Sequence, residues 1–406
     1  MATAGLLTHH WWAWFAAPAY TVAAVAIACL PSRWWNLLPG LLAALIIAVL
    51  IVPIATLAVL RSHSPAGYFA QSDTAAVEAA AVTTVDGHSP YAGLESIQHD
   101  GVDPTGINSY LSVTREHFVY LPAMAGFGLP RAVGLPGLLG DARLWMLVAT
   151  LICAWLVYRK VAEPGPQLAV LAVLASPLLA ISLVVGNTDA VVVSLLVLGL
   201  VLCGGEDRRA VIAFGIALAL KQTAILVPVV LVLTNTTIAG TARRWFVTRV
   251  LAIGMPLTLA FLIWDRRDFL DDVVRFPLTR QGQDLAQLPP GVAATAQLHG
   301  PWAIVLVWAL GLTALAAAVL RLRRPGSIVR ATTVAGLVYF AAWILLPSFR
   351  YGTAVYWLCL LGAVAAGVIR DPADSRPLDA APNPNPPVLV EMAVAGQQPF
   401  PPERDR

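Results

Sequence analysis

The residues best suited to chemistry are a few charged side chains in a chain that is otherwise almost continuously apolar. Asp73 begins a helix-compatible stretch ending at Val85, beyond an apolar run that ends at Leu60. A carboxylate there can take a proton from a hydroxyl group, although most single loop acids are only solvated. Lys221 lies inside apolar stretch 216–223, where a charge costs several kcal/mol unless it is paired or faces a polar cavity. Its two readings are an interfacial lysine and a phosphate-binding cation.

Two short polar motifs interrupt the apolar sequence further along the chain. Gly186-Asn187-Thr188-Asp189 separates two apolar runs. Asn and Asp favour turns and helix N-caps there, and the same side chains can also bind a ligand. Arg350-Tyr351 follows the apolar run 331–347. This pair is either an interfacial anchor or a second phosphate contact, since Arg binds phosphate oxygens in a bidentate fork.

Composition makes this chain an integral membrane protein. It is 58% hydrophobic and 12% charged, with a mean hydropathy of +0.73, whereas soluble domains carry about 25% charged residues. The cysteines lack metal-ligand spacing and lie in apolar runs, so they are interpreted as small buried apolar side chains. They are Cys29, Cys153, Cys203 and Cys359.

Apolar runs long enough to cross, or nearly cross, a bilayer predict most of the helices. These runs are 11–30, 38–60, 142–158, 167–184, 188–203, 246–264, 302–320, 331–347 and 352–369. The stretch 209–235 is broken at Lys221-Gln222, which predicts a helical hairpin or re-entrant pair with these two residues at its tip. The sequence thus predicts an all-α protein of about 11 transmembrane helices.

The positive-inside rule orients these helices. Loops containing Arg159-Lys160, Arg208-Arg209, Arg243-Arg244 and 321–324 are basic and are placed on the cytoplasmic side. The long polar loop 61–130 then lies outside, and so does a second polar loop, 265–300. Residues 1–370 are predicted to form one polytopic membrane domain. Residues 371–406 are rich in proline and charge, which predicts a disordered cytoplasmic tail.

Five stretches, in order, resemble the GT-C polytopic glycosyltransferases, in particular the actinobacterial mannosyltransferases of glycosyltransferase family 87. The resemblance covers roughly residues 60–365. Three positions depart from the family pattern, with Asn187 for Gln, Asp189 for Asn and Gln222 for Pro, and Asp73 has no second acid two residues away. The stretches are Asp73 with 79–81 and 86–91, Phe118 to Pro122, Gly186 to Asp189, Ala219 to Thr223, and Leu346 to Tyr351.

The resemblance implies a GT-C-like bundle in the plasma membrane, whose first outer loop carries short helices and the catalytic acid. It further implies that a sugar moves, with inversion, from a polyprenyl-phosphate-sugar to an acceptor hydroxyl at the extracytoplasmic face. Mannose and arabinofuranose are both compatible sugars, and a glycolipid or a polysaccharide is the expected acceptor. Membrane lipids are the other expected partners. No metal, cofactor or nucleic acid is expected.

The same resemblance assigns roles to individual side chains. Asp73 is the expected general base. The cations expected to bind the donor phosphate are Lys221, Arg350, Arg275 and Arg280. The side chains expected to bind the sugar or the acceptor are His117, Tyr120, Asn187, Asp189, Gln222 and His299.

Two alternatives to an active transferase stay open from the sequence. A transporter or lipid flippase would use intramembrane charges as a conduction path, which predicts paired charges at mid-membrane depth on several helices. An inactive GT-C relative would explain the altered motif 186–189.

Overall fold

Helices make up all the regular structure in the described part of this computed structural model, which comprises residues 7–63, 69, 72–92, 117–203, 208–234, 241–276, 327–345 and 351–371. This confirms the all-α prediction. Residues 1–371 form one compact unit, and the predicted tail lies almost wholly outside the described residues. The α-helices up to residue 160 are α1 (Leu7–Cys29), α2 (Leu38–Ile46), α3 (Val52–Ser62), α4 (Ser72–Val85), α5 (Leu129–Ala132), α6 (Gly137–Gly140) and α7 (Ala142–Lys160).

The later helices follow the predicted apolar runs closely. They are α8 (Pro164–Leu174), α9 (Pro177–Val185), α10 (Asp189–Leu202), α11 (Arg208–Leu220), α12 (Leu226–Leu233), α13 (Thr241–Gly254), α14 (Pro256–Trp264), α15 (Arg266–Leu270), α16 (Ile328–Leu345) and α17 (Tyr351–Ala365). Shorter 3₁₀ turns span Ser32–Leu37, Pro122–Gly128 and Gln222–Ile225, and π-helical turns span Ile47–Ile51 and Asp271–Arg275.

Three of the described helices are long and apolar enough to cross a membrane, namely Thr8–Cys29, Ser32–Ser62 and Ala142–Lys160. The number rises to five if the bent pairs α8–α9 and α13–α14 each count as one span. Other apolar helices, such as α10 and α16, are shorter. The predicted total of about 11 passes therefore stays a prediction, and the apolar run 302–320 lies outside the described residues.

Proline explains each interruption of these long helices. Pro53 lacks an N–H and its ring crowds the preceding turn, and the π-helical turn Ile47–Ile51 lies directly before it. Pro177 begins α9 after a 43° bend, and Pro256 begins α14 after a 49° bend. At the first of these bends the Ser176 hydroxyl caps α9 by accepting the N–H of Leu179 at 3.4 Å. Single apolar runs in the sequence thus become two helices.

The described part of the loop 61–130 packs against the long helices at a defined place. Helix α4 begins at Ser72, one residue before the predicted start at Asp73, and packs on the 3₁₀ turn Pro122–Gly128 and on α5. The same 3₁₀ turn contacts α11, which ends beside Lys221. Helix α10 packs between α7 and α11. These contacts bring Asp73, the Asp189 end of α10 and Lys221 to one region of the molecule.

Candidate active site

Asp73 is positioned by the residue that follows it. It lies half-buried in the first turn of α4. The Thr74 hydroxyl, fully buried, donates a hydrogen bond to the Gly186 carbonyl oxygen at 3.1 Å. This bond joins the start of α4 to the turn between α9 and α10. The sequence predicted both segments as functional, but nothing in it indicated that Thr74 connects them.

The turn 186–189 has the structural role that the sequence predicted for it, and its role in ligand binding stays a prediction. Gly186 ends α9 with φ +94°, and a Cβ there would lie 1.7 Å from the Thr74 hydroxyl, so only glycine fits. The Asn187 side-chain oxygen accepts the N–H of Asp189 at 2.7 Å. Asn187 also lies against α17, because a Cβ on Gly352 would come within 1.8 Å of its amide nitrogen.

Lys221 forms an ion pair with Asp189. Helix α11 ends at Leu220 and Lys221 is extended, so the chain breaks where the sequence placed the tip. Asp189 begins α10, where the positive end of the helix dipole favours a carboxylate. The Lys221 ammonium also lies 5.2 Å from the centre of the Tyr120 ring, a cation–π contact. The charge of this partly buried lysine is therefore balanced by a carboxylate and an aromatic ring.

The segment 118–122 fixes Tyr120 beside this ion pair through backbone contacts. Leu121 donates its N–H to the Leu220 carbonyl at 3.2 Å. The Gln222 amide donates to the Val119 carbonyl at 3.2 Å. The Tyr91 hydroxyl donates to the Tyr120 carbonyl at 2.9 Å. Gln222 thus contacts the backbone of the segment 118–122 in this structure.

His117 is held by Asp272, a residue of the polar segment 265–300. Its Nδ1 lies 2.5 Å from Asp272 Oδ1, and the Phe118 N–H donates to Asp272 Oδ2 at 2.8 Å. The His117 ring stacks on Phe276, with 4.1 Å between ring centres. Burial raises the pKa of Asp272 above its usual range, although the hydrogen bonds from His117 and Phe118 act in the opposite direction. Sequence analysis noted Asp272 only as part of a polar loop.

Two tyrosines and Thr223 complete the cluster from α16 and α17. The Tyr339 hydroxyl donates to the Thr223 carbonyl at 2.8 Å, and the Tyr356 hydroxyl lies 3.3 Å from the Thr223 hydroxyl. The two rings stack with centres 4.7 Å apart. Tyr356 is also close enough to Asp189 to interact with its carboxylate. Sequence analysis missed both tyrosines, because they lie inside apolar helices without a motif around them.

The structure brings together some of the predicted site residues and not others. One connected series of contacts includes most of the described site residues, and Asp73 joins it through Thr74. Arg275 is exposed and contacts Asp271 at 3.0 Å, one helical turn earlier. Arg280, His299 and Arg350 lie outside the described residues. The connected members besides Asp73 are His117, Tyr120, Asn187, Asp189, Lys221 and Gln222.

One group of described residues has the composition of a metal site. His117, Asp271 and Asp272 each offer a ligand atom, and these atoms lie within 4.8 Å of one another. Imidazole with two carboxylates suits a divalent transition metal. Both Asp272 oxygens, however, already bind His117 and Phe118, and Asp271 contacts Arg275. We therefore interpret Asp272 as the residue that orients His117, and we assign no metal here.

A second set of buried charges fixes α4 from its other side. We call Arg61, Glu78, Asp141 and Arg143 the charge cluster. Arg61 contacts Glu78 at 2.6 and 2.9 Å and Asp141 at 3.3 Å. Arg143 contacts Asp141 at 2.6 and 2.8 Å. Burial would raise the pKa of Asp141, but the two arginines hold it below its usual range.

Backbone groups complete the charge cluster. The Ala142 N–H donates to Glu78 Oε1 at 3.0 Å, and Arg143 donates to the Phe69 carbonyl at 2.7 Å and the Val184 carbonyl at 3.2 Å. Helices α3, α4, α7 and α9 are thereby connected through buried polar contacts. Sequence analysis missed this cluster, because its members come from three separate segments of the chain.

Comparison with known proteins identifies the family. The sequence model of glycosyltransferase family 87 matches residues 118–348, more than half of the 406-residue chain. The match includes the 118–122 segment, the 186–189 turn and Lys221, and it begins after α4. Comparisons with curated proteins and with solved structures gave no match. The extent of the family match shows that this chain belongs to glycosyltransferase family 87 and is a GT-C-like membrane glycosyltransferase.

Proposed function

We propose that this enzyme transfers a sugar from a polyprenyl-phosphate-sugar to an acceptor hydroxyl at the extracytoplasmic membrane face, with inversion at the anomeric carbon. The observation that carries the proposal is the Thr74–Gly186 hydrogen bond, which joins the helix bearing Asp73 to the turn that holds the Lys221–Asp189 pair. The proposed base and the proposed phosphate-binding cation are thereby connected to the same turn. Mannose is the first sugar to test, and arabinofuranose is the second.

Asp73 is the proposed general base. A hydroxyl is a weak nucleophile, so a carboxylate must take its proton as the oxygen attacks the anomeric carbon. The new glycosidic C–O bond forms as the bond from that carbon to the phosphate oxygen breaks. The bonding electrons leave with the phosphate, and the proton stays on Asp73. Its half-buried position at the start of a fixed helix supports this role.

Lys221 is the proposed partner of the leaving phosphate. The phosphodiester gains one negative charge as it becomes a polyprenyl phosphate monoester, and a fixed cation stabilises that charge. Asp189 holds the ammonium in place, while the three N–H donors of lysine allow it to contact a second anion. Arg350, Arg280 and Arg275 remain proposed phosphate contacts, and His299 remains a proposed sugar or acceptor contact.

His117, Tyr120, Asn187, Asp189 and Gln222 are proposed to shape the sugar and acceptor positions. Asp272 supports His117 in one orientation, and the proposed role of His117 is to contact a substrate hydroxyl from that position. Asn187 and Gln222 mainly support the backbone in this structure, so their proposed contribution is to geometry.

The test is donor-dependent transfer by the purified protein in lipid nanodiscs. Radiolabelled polyprenyl-phosphate-mannose and polyprenyl-phosphate-arabinofuranose are supplied with a membrane glycolipid fraction, and the matching nucleotide sugars serve as controls. We expect label in product from one lipid donor and none from nucleotide sugars. Transfer from a nucleotide sugar alone, or failure of every polyprenyl-phosphate donor to bind, would contradict the proposal. Family membership favours the enzyme over the transporter, and binding without transfer would support an inactive relative.

A further inference from the structure

A polar cavity lies beside the charge cluster. Its volume is about 430 Å³, within the range of small-ligand pockets. Arg61, Ser62, Arg131 and Asp141 supply its polar lining. None of the residues assigned to sugar transfer lines it. It lies at the C-terminal end of the Ser32–Ser62 helix, which is long and apolar enough to cross a membrane.

The cavity has a surplus of positive charge. The charge cluster and Arg131 together hold three guanidinium groups and two carboxylates among the described residues. Arg131 is half-exposed and contacts Glu78 at 3.4 Å through its Nε. Arg61 is buried, and its Nε finds no hydrogen-bond partner within the described part of the chain. Arg61 and Arg131 both line the cavity, so an anion bound there would contact two guanidinium groups.

The rim of the cavity is apolar and exposed. Helices α5 and α6 and the segment between them form one wall. This wall is tightly built, because a Cβ on Gly140 would lie 2.2 Å from the Leu135 carbonyl oxygen. Side chains on it point outward, with Val133 66% exposed. The other exposed apolar residues are Leu129, Leu135 and Leu139.

We propose that this cavity binds the phosphate group of an anionic membrane phospholipid. The arginines match the phosphate oxygens in charge and hydrogen bonding. The exposed side chains of the 129–139 segment match the glycerol backbone and the first part of the acyl chains, as in interfacial segments that contact lipid. A free phosphate ion would use the cations but gain nothing from this apolar rim. The inference stands independently of the sugar-transfer proposal.

The experiment is native mass spectrometry of the detergent-solubilised protein titrated with phosphatidylglycerol. Diacylglycerol with the same acyl chains lacks the phosphate and is the ligand control, and inorganic phosphate is the competitor. The variants are Arg131→Gln, Val133→Ser and Arg266→Gln. Arg266 is an exposed arginine distant in sequence from the cavity and is the matched control.

We expect wild type to bind phosphatidylglycerol and not diacylglycerol. Arg131→Gln should lower the affinity by about tenfold, because a charge-assisted contact is lost. Arg266→Gln should bind as wild type does. Val133→Ser should weaken lipid binding without altering charge, and it carries the test if Arg131→Gln reduces the yield of folded protein.

Three results would overturn the proposal. These are equal binding of diacylglycerol, wild-type affinity in both cavity variants, and an affinity for inorganic phosphate equal to that for phosphatidylglycerol. The last result would assign the cavity to free phosphate.

Discussion

The charge cluster and the Lys221–Asp189 pair contain the same types of groups but differ in how completely they are satisfied. In the charge cluster, Arg143 is fully buried and donates to a carboxylate and two backbone carbonyls. Lys221 keeps 14% of its side chain exposed and contacts one carboxylate and one aromatic ring among the described residues. Arg143 therefore has little capacity for another ligand, whereas Lys221 retains donors for an anion. This comparison assigns a structural role to the Arg143–Asp141 pair and agrees with the chemical role proposed for Lys221.

The largest effect is expected for Arg143→Met, which tests the structural role of the Arg143–Asp141 pair. It leaves Asp141 buried with one weaker partner, Arg61, and loss of one member of a buried pair costs about 3–5 kcal/mol. We expect a large fall in the yield of folded protein and in its melting temperature in detergent. Arg159→Met, an exposed arginine at the other end of α7, is the control and should change neither. If Arg143→Met is as stable as wild type, the Arg143–Asp141 pair does not have the structural role assigned to it.

Lys221→Gln tests the proposed role of Lys221 in sugar transfer. The amide can still donate to Asp189, but it supplies no positive charge to the leaving phosphate. We expect transfer to fall by about 10²-fold, with a smaller loss of stability than in Arg143→Met. Lys160→Gln changes the only other lysine, which is exposed, and should transfer sugar normally. If Lys221→Gln instead unfolds the protein while Arg143→Met does not, the two assignments are reversed.

Thr74→Val tests the link between the two regions. The substitution keeps the shape but leaves the Gly186 carbonyl without its hydroxyl donor, at a cost of about 1 kcal/mol. We expect a several-fold loss of transfer through misplacement of Asp73, and Thr74→Ser should restore most of it. Thr84→Val removes a bond within the same helix, to Ala80, and is the control. Equal effects of Thr74→Val and Thr84→Val would argue against the link.

The smallest expected effect is the contribution of Asp272 to the pH dependence of protein stability. Its folded pKa is raised, so the folded protein holds this proton to a higher pH than the unfolded chain does. The corresponding stability is present at low pH and is lost as pH rises from about 4 through the raised pKa. When melting temperature is measured against pH, we expect this loss of stability to be absent in Asp272→Asn and retained in Asp86→Asn. If the pH dependence of the melting temperature is the same in Asp272→Asn as in wild type, burial of this carboxylate does not affect the pH dependence of stability.

Sequence reasoning predicted what is local and failed where distant segments meet. A lysine within an apolar stretch predicted the break at Lys221, and Gly-Asn-Thr-Asp predicted the turn at 186–189, because both depend on neighbouring residues. The Lys221–Asp189 contact joins residues 32 positions apart and the His117–Asp272 contact joins residues 155 positions apart. Such pairs are set by helix packing, which a single sequence does not specify.

The same limit explains what was missed or remains open. Arg61, Glu78 and Arg143 have ordinary sequence surroundings, and only their meeting between α3, α4 and α7 gives them a role. Apolar runs 167–184 and 246–264 were each predicted as one span, but Pro177 and Pro256 bend each of them into two helices. The number of membrane passes therefore stays a prediction, as do the roles of Arg280, His299 and Arg350.

The most direct test of the central claim compares Asp73→Asn with Asp86→Asn on purified protein, with donor binding and sugar transfer measured separately. Asp86 lies just after the other end of the same helix and is exposed, so it controls for loss of an outer-loop carboxylate. We predict that Asp73→Asn lowers transfer by about 10²–10⁴-fold with unchanged donor affinity, and that Asp86→Asn behaves as wild type. Full transfer by Asp73→Asn would contradict the assignment of Asp73 as the general base.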